Sequence, residues 1–329
     1  VDEMDVEEVI KRIGISEEEF EKKVEEIREH FAGLISDETA VLLAAYNFGY
    51  VPASSIDELK EKRGIVTVEG VVEKAELKKL QNGEVMAVMT VRDDTGALRV
   101  VMWGEAAQLV RFGDIGKHDY VRLKGLIKIR DGLPELSVRN AEDVVVTKKG
   151  WQSLKGNVVA KVEKGDETLA AIANERGVRI CVARGDRAAL LAKLRKGDSV
   201  ELLGYSMEDV FVVSSVLPAK PYSYSPMFTP IAKLRALQNT NVRGRVSGIG
   251  ELRKVRDRLL AELYISDDSG RVRILLWDDN VTIYKQADVG DLIEVFNGFP
   301  KIGWDGEMEV HCGKSCIVSI EKLNACFNN

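Results

Sequence analysis

The chain has 329 residues, 45% of them hydrophobic, which is ordinary for two or three globular domains with real cores. No stretch approaches about 18 uninterrupted apolar residues, which argues against a helical membrane span, and the acidic start lacks the basic and apolar regions of a secretory signal. The net charge of −6 is uneven: residues 1–63 hold 17 acidic and 8 basic residues, the remainder 36 and 39, so any phosphate-binding field must come from local clusters.

Residues 1–52 form an acidic helical segment. From Asp5 to about Tyr50 apolar residues recur at helical spacing through Val9, Ile13, Phe20, Val24, Ile27 and Phe31. Ser16 stands three residues before Glu19 in capping-box spacing, a third run follows Ser36, and the whole predicts about three helices. Four cysteines are too few for a disulfide framework at this length, which favours a reducing, cytoplasmic setting.

A first β module spans residues 53–147 and a copy of it spans 231–322. Residues 91–104, VRDDTGALRVVMWG, return as 265–278, ISDDSGRVRILLWD, and the offset of 174 carries Gly70 onto Gly244. Each copy opens with Ile-x-x-Leu and a glycine-centred strand, the glycine marking a bend or bulge. A basic connection follows, with Lys78 and Lys79 in one copy and Arg253, Arg256 and Arg258 in the other. Asp-Asp-Thr-Gly and Asp-Asp-Ser-Gly then turn a hairpin. Fourth strands are predicted at 120–130 and 292–302, and fifth strands near 135–146 and 307–320. This is mainly-β architecture: tandem five-stranded OB barrels, two clear and one reduced in the middle.

The reduced barrel lies at 155–217. Arg179 is aligned with Arg99, Ala183 stands for the tryptophan, and residues 163–177 read as helix, so this module should mainly space its neighbours. A proline-rich linker, 218–230, carries Tyr222, Tyr224 and Phe228, aromatics expected to dock on an adjacent barrel.

Alternation along the third strands points Leu98, Val100 and Met102 one way and Arg99, Val101 and Trp103 the other, with Val272, Ile274 and Leu276 opposed to Arg271, Arg273, Leu275 and Trp277. Arginine beside tryptophan suits a groove that neutralises a backbone and stacks on flat rings. Arg243 and Arg245 flank the second glycine and share this expectation.

Thr229-Pro-Ile-x-x-Leu234, Val242-Arg-Gly-Arg-Val246, Asp267-Asp-Ser-Gly270 and Leu275-Leu-Trp277, with their first-barrel counterparts, resemble the archaeal branch of the replication protein A family. The resemblance implies single-stranded DNA binding in replication, repair and recombination, with no cofactor and no enzymatic activity, in a cytoplasmic, nucleoid-associated protein. It implies base stacking by Trp103 and Trp277, with Trp304 as a second platform in the last barrel and Lys128 and Arg130 in the corresponding ringless place of the first. Polymerase, primase or recombinase partners would follow, and association into oligomers stays open.

Two chemical alternatives are weak. Adjacent aspartates in a turn point different ways, which disfavours a two-metal site. His311, Cys312, Cys316 and Cys326 lack the familiar C-x₂-C zinc spacing. RNA binding and a protein-interaction scaffold remain as different classes of function.

Overall fold

The computed structural model describes residues 6–32 and 34–323. Helices α1 (Val6–Ile13), α2 (Glu17–Phe31) and α3 (Asp37–Asn47) bury Val9, Phe20, Val24, Ile27, Ala40 and Ala44 in a small core. The hydroxyls of Ser16 and Ser36 accept from the amides of Glu19 and Thr39, each at 3.2 Å, so both longer helices start where the spacing places them. Asp5, where the helical pattern begins in the sequence, lies outside the described residues.

The first barrel comprises β1 (Gly64–Lys79), β2 (Val85–Arg92), β3 (Ala97–Met102), α4 (Gly104–Arg111), β4 (Tyr120–Arg130), β5 (Leu133–Val138) and β6 (Val144–Lys148). Its strands run β1-β2-β3-β5-β4-β6, and an added β1–β4 pairing closes the wall. The predicted single fifth strand is two strands: β5 pairs parallel with β3 and antiparallel with the end of β4, a short 3-10 turn at Ala141–Asp143 follows, and β6 continues along the same edge of β4, beside Tyr120–Leu123.

The middle barrel is β7 (Gln152–Lys164), β8 (Glu167–Asn174), β9 (Gly177–Arg184), α5 (Ala188–Ala192), β10 (Ser199–Met207) and β11 (Val210–Pro218), closed in the order β10-β11-β9-β8-β7. Where helix is expected at 163–177 there is a hairpin. The alanine-rich run of β8 has helical propensity, yet every residue from Glu167 to Ala173 is buried; a strand covered on both faces shows no alternation to betray it.

The last barrel, β12 (Thr240–Val255), β13 (Arg258–Asp267), β14 (Gly270–Trp277), α6 (Val281–Gln286), β15 (Leu292–Ile302), β16 (Met308–Cys312) and β17 (Ile317–Glu321), repeats the first strand for strand. Its fifth strand is likewise split, by a turn at Gly313 where the Cys316 amide donates to the Gly313 carbonyl at 3.2 Å.

Three features recur in all three barrels. A bulge follows Val72, Val158 and Val246 in the first strands. Two residues earlier stand Gly70, Gly156 and Gly244, where an added Cβ would lie 2.4, 2.2 and 2.8 Å from a carbonyl oxygen of the neighbouring strand. Only glycine permits that approach. Asp119, Asp198 and Asp291 begin the fourth-strand segments and return their backbone carbonyls to the amides of Val72, Val158 and Val246.

The barrels also grip one another. The Lys164 ammonium at the end of β7 donates to Asn280 Oδ1 and to the carbonyls of Lys314 and Cys316, at 3.1, 3.3 and 3.1 Å. Along residues 219–230 the Asn157 side chain holds the backbone of Tyr222 and Tyr224, and Phe228 packs on Phe296 with ring centres 5.6 Å apart.

Candidate nucleic-acid interface

The third strands sort as alternation predicts. Leu98, Val100, Met102, Val272, Ile274 and Leu276 are buried in their barrels, while Arg99 and Arg271 are exposed and Arg273, Trp103 and Trp277 are half-buried. Trp103 directly follows β3 and Trp277 ends β14, each immediately before a residue in the left-handed region, Gly104 at φ 53° and Asp278 at φ 50°. That kink swings the chain into the following helical crossing and leaves the indole at the barrel rim.

Cross-strand register assembles a row that the two outer barrels share. Arg99 lies opposite Glu135, and Glu135 opposite Lys128; Arg273 lies opposite Glu309, and Glu309 opposite Lys301. Residues in register share a face. Arg99 Nε is 2.8 Å from Glu135, and Arg130 approaches the same carboxylate at 3.7 Å. Arg273 Nη2 reaches Glu309 at 2.7 Å and Asp305 at 2.9 Å, and its Nε is buried with no hydrogen-bond partner among the described residues. The next row is Val101, Ser137 and Leu126 in the first barrel, but Leu275, His311 and Phe299 in the last. The last barrel therefore carries an aromatic trough where the first is aliphatic.

The other basic residues distribute unevenly. Arg258 sits 4.6 Å over the Trp277 ring and 2.8 Å from Asp278, and Arg271 sits 4.4 Å over Tyr264. Arg253 pairs with Glu262 at 2.8 Å. Lys79, Lys128 and Arg256 have no hydrogen bond or ion pair among the described residues, and Lys78 is exposed beside Lys79. Arg243 and Arg245 oppose Glu294 and Leu292 near the start of β15, far along the strand from Phe299. Arg243 is spent over Phe228 at 4.9 Å and Arg245 on the Gly290 carbonyl at 2.9 Å, so neither joins the trough. A long outward face wraps around a barrel, and sharing it does not make residues neighbours.

Trp277 stands between two clefts. One, of about 530 Å³, includes Phe299, Lys301, His311 and Arg258, with Asp209 of the middle barrel opposite. The other, of about 480 Å³, brings Lys79 and Gly83 of the first barrel to Trp277, together with Arg111, Lys164 and Lys314. The first barrel's β1–β2 arm thus shares a cleft with the last barrel's tryptophan. Trp304 lies in the β15–β16 turn, fully exposed.

In the middle barrel the alignment shifts by one residue. Cys181 and Ala183 point into its core, so the place of Trp103 and Trp277 belongs to Arg184, which precedes Gly185 at φ 57°. Arg184 is committed to Glu167 at 2.8 Å and to the Arg111 carbonyl at 3.2 Å. Ile180, rather than Arg179, takes the place of Arg99. Ile180 and Val182 are buried in a cluster that includes Phe296 and Ile317, and β9 touches β15 while β17 touches β7 and β8. The wall that carries arginine and tryptophan in the outer copies is here covered by the last barrel.

The paired aspartates are clips. Asp93 Oδ2 accepts from the Ile56 amide at 2.8 Å while Oδ1 accepts from Thr95 and Gly96; Asp267 repeats this with Ile231, Ser269 and Gly270. Burial works to raise both carboxyls, but these donors outweigh it and hold them below the ordinary aspartate range. No cluster of three or more metal-ligating side chains exists among the described residues. Cys312 and Cys316 point into the last core whereas His311 faces out, and Cys326 lies outside the described residues.

Phe299, His311 and Lys301 escape a reading by strand alternation, because only cross-strand register brings them to the cleft at Trp277, and the same register sets Tyr264 opposite Arg273. The repeat held one usable signal: Lys301 is the counterpart of Lys128 once a single-residue difference between the copies is allowed.

Residues 66–144 match the family described as OB-fold nucleic acid binding domain (tRNA_anti-codon). The chain is similar to replication factor A of Methanothermobacter thermautotrophicus, 34% identical over 86 residues, which is 25% of this chain and 11% of the relative's length. Among solved structures it is similar to a replication factor A related protein from Methanobacterium thermoautotrophicum, 29% identical over 29% of this chain and 91% of that one, with a TM-score of 0.27. It is also similar to the second OB-fold domain of replication protein A from Methanococcus maripaludis, 22% identical over 26% of this chain and 85% of that one, with a TM-score of 0.20.

Proposed function

We propose that the chain binds single-stranded DNA without regard to sequence and without chemical turnover, in replication, repair and recombination. The observation that carries this reading is the duplicated rim: a half-exposed tryptophan at the end of the third strand, beside an arginine–glutamate–lysine row, in both outer barrels. Flat rings at a rim accept any base face, each worth about 1–3 kcal/mol, and unpaired cations such as Lys79, Lys128 and Arg256 answer phosphates. Tethering two such rims multiplies affinity through effective concentration.

The ion-paired arginines refine the mechanism. Arg99 and Arg273 are held by carboxylates, so they contribute oriented donors and a rigid floor more than free positive charge. The middle barrel, with its wall covered, spaces and braces the other two. We further propose that the acidic helical bundle recruits proteins of the replication or recombination machinery, and that the protein works in the cytoplasm with the nucleoid.

Titration of the full chain with an oligothymidylate, the matching duplex and an oligouridylate, followed by tryptophan fluorescence over a range of salt, tests the reading. Quenching by the single-stranded DNA with steep salt dependence supports it. Preference for the uridylate would reassign the protein to RNA, and silence with all three would end the nucleic-acid proposal.

A further inference from the structure

The last barrel's tryptophan is linked to its neighbours by hydrogen bonds that the first barrel lacks. The Trp277 indole N–H donates to His311 Nδ1 at 3.2 Å, His311 Nε2 lies 2.8 Å from Glu309 Oε1, and Glu309 Oε2 accepts from Arg273 at 2.7 Å. An Nδ1 that accepts must be unprotonated, which places the ring proton on Nε2, donated to Glu309. The indole N–H and the imidazole lone pair both lie in their ring planes. Those planes are 18° apart and the ring centres 6.2 Å apart, so the rings meet edge to edge as one nearly flat surface. In the first barrel Ser137 stands at the position of His311, and Trp103 has no side-chain hydrogen bond among the described residues.

We propose that His311 is a positioning residue that holds Trp277 in its base-stacking orientation, so that the last barrel's grip on nucleic acid requires a neutral imidazole there. This rests on the nucleic-acid reading above. His311 is faced by Glu309 on its own strand, by Arg273 from β14, by Lys301 from β15 and by Arg258 above the indole, with Asp209 of the middle barrel across the cleft. A second proton on the ring would turn Nδ1 into a donor facing the indole N–H, donor against donor. The Glu309 contact would survive, because Nε2 still donates to it. The indole is therefore the partner released.

The test uses the full chain and a labelled oligothymidylate at constant ionic strength. At pH 8, His311→Leu is expected to weaken binding about as much as Trp277→Ala, and the double variant no further than Trp277→Ala alone. His311→Gln, which can accept from the indole and donate to Glu309, should bind within about twofold of wild type. Between pH 8 and pH 5.5 the wild type should weaken several-fold more than His311→Gln, and Trp277→Ala should remove that difference. Additive losses in the double variant would overturn the proposal. So would tighter binding at acid pH that His311→Gln abolishes, since that marks an imidazolium contacting phosphate. If His311→Leu fails to fold, the His311→Gln and Trp277→Ala pH series decides alone. Wild type that does not bind at pH 8 would sink the nucleic-acid reading itself, whereas binding untouched by His311→Leu would sink only the positioning role.

Discussion

Tyr205 of the middle barrel donates its hydroxyl to the carboxylate of Asp119 in the first, 2.9 Å from each oxygen, with both residues almost wholly buried. Burial, and then the Asp119 charge, push the phenol far above its ordinary pKa, so it remains a donor at any pH the fold tolerates. Asp119 also accepts from the amides of Gly116 and Gly150, at 3.1 and 2.7 Å. Tyr205→Phe leaves that carboxylate short of a donor and is expected to cost about 1–3 kcal/mol. Urea unfolding would show a lower midpoint, and an unchanged one would mean that the contact contributes nothing.

Trp103→Ala and Trp277→Ala should each weaken single-strand binding by about 1–3 kcal/mol, roughly 5- to 150-fold, with little effect on melting temperature. Trp151→Ala, at a ring 5.8 Å from Lys149 between two barrels, should leave affinity unchanged. Isothermal titration at one salt concentration separates them.

Glu135 draws charge from both Arg99 and Arg130. Glu135→Gln frees that charge, so affinity for single strands should rise severalfold and the salt dependence should steepen by up to about one phosphate, near 0.7 in log–log slope. A weaker-binding variant would show that the carboxylate's ordering of Arg99 matters more than its charge.

The strand glycines supply a steric test. Gly156→Ala forces a methyl to within 2.2 Å of the Ala173 carbonyl oxygen, and Gly70→Ala to 2.4 Å from that of Arg92. Each should destabilise by about 1–3 kcal/mol or more. Gly313→Ala meets nothing within 4 Å and should be near neutral in thermal melts.

Asp93 and Asp267 predict acid sensitivity. Their folded carboxyls titrate below the unfolded value of about 3.9, so the stability they provide is complete above roughly pH 5 and fades as pH falls through the folded value. Asp93→Asn with Asp267→Asn should be less stable at pH 7 and lose less between pH 5 and pH 3. Parallel curves for variant and wild type in urea melts would refute the assignment.

Much of this was readable in the linear chain because the informative residues were local. Asp-Asp-Ser-Gly makes its own turn, Val242-Arg-Gly-Arg-Val246 declares its bend, and Leu98, Val100 and Met102 alternate. What escaped depends on packing between elements. β8 hid because both of its faces are covered, and the place of Arg184 needed knowledge of which side of β9 faces the core. The pairing of Arg99 with Glu135 joins residues 36 apart, and that of Trp277 with His311 residues 34 apart. No local pattern announces either.

Ile180 and Val182 stand where the outer copies have Arg99 and Val101, and Arg273 and Leu275, so an apolar residue in place of an arginine lets the last barrel close over this wall of the middle one. The exchange leaves the third strand's pairing intact in all three copies, antiparallel to the second strand and parallel to the fifth. The middle copy thereby joins the outer two through a buried apolar seam.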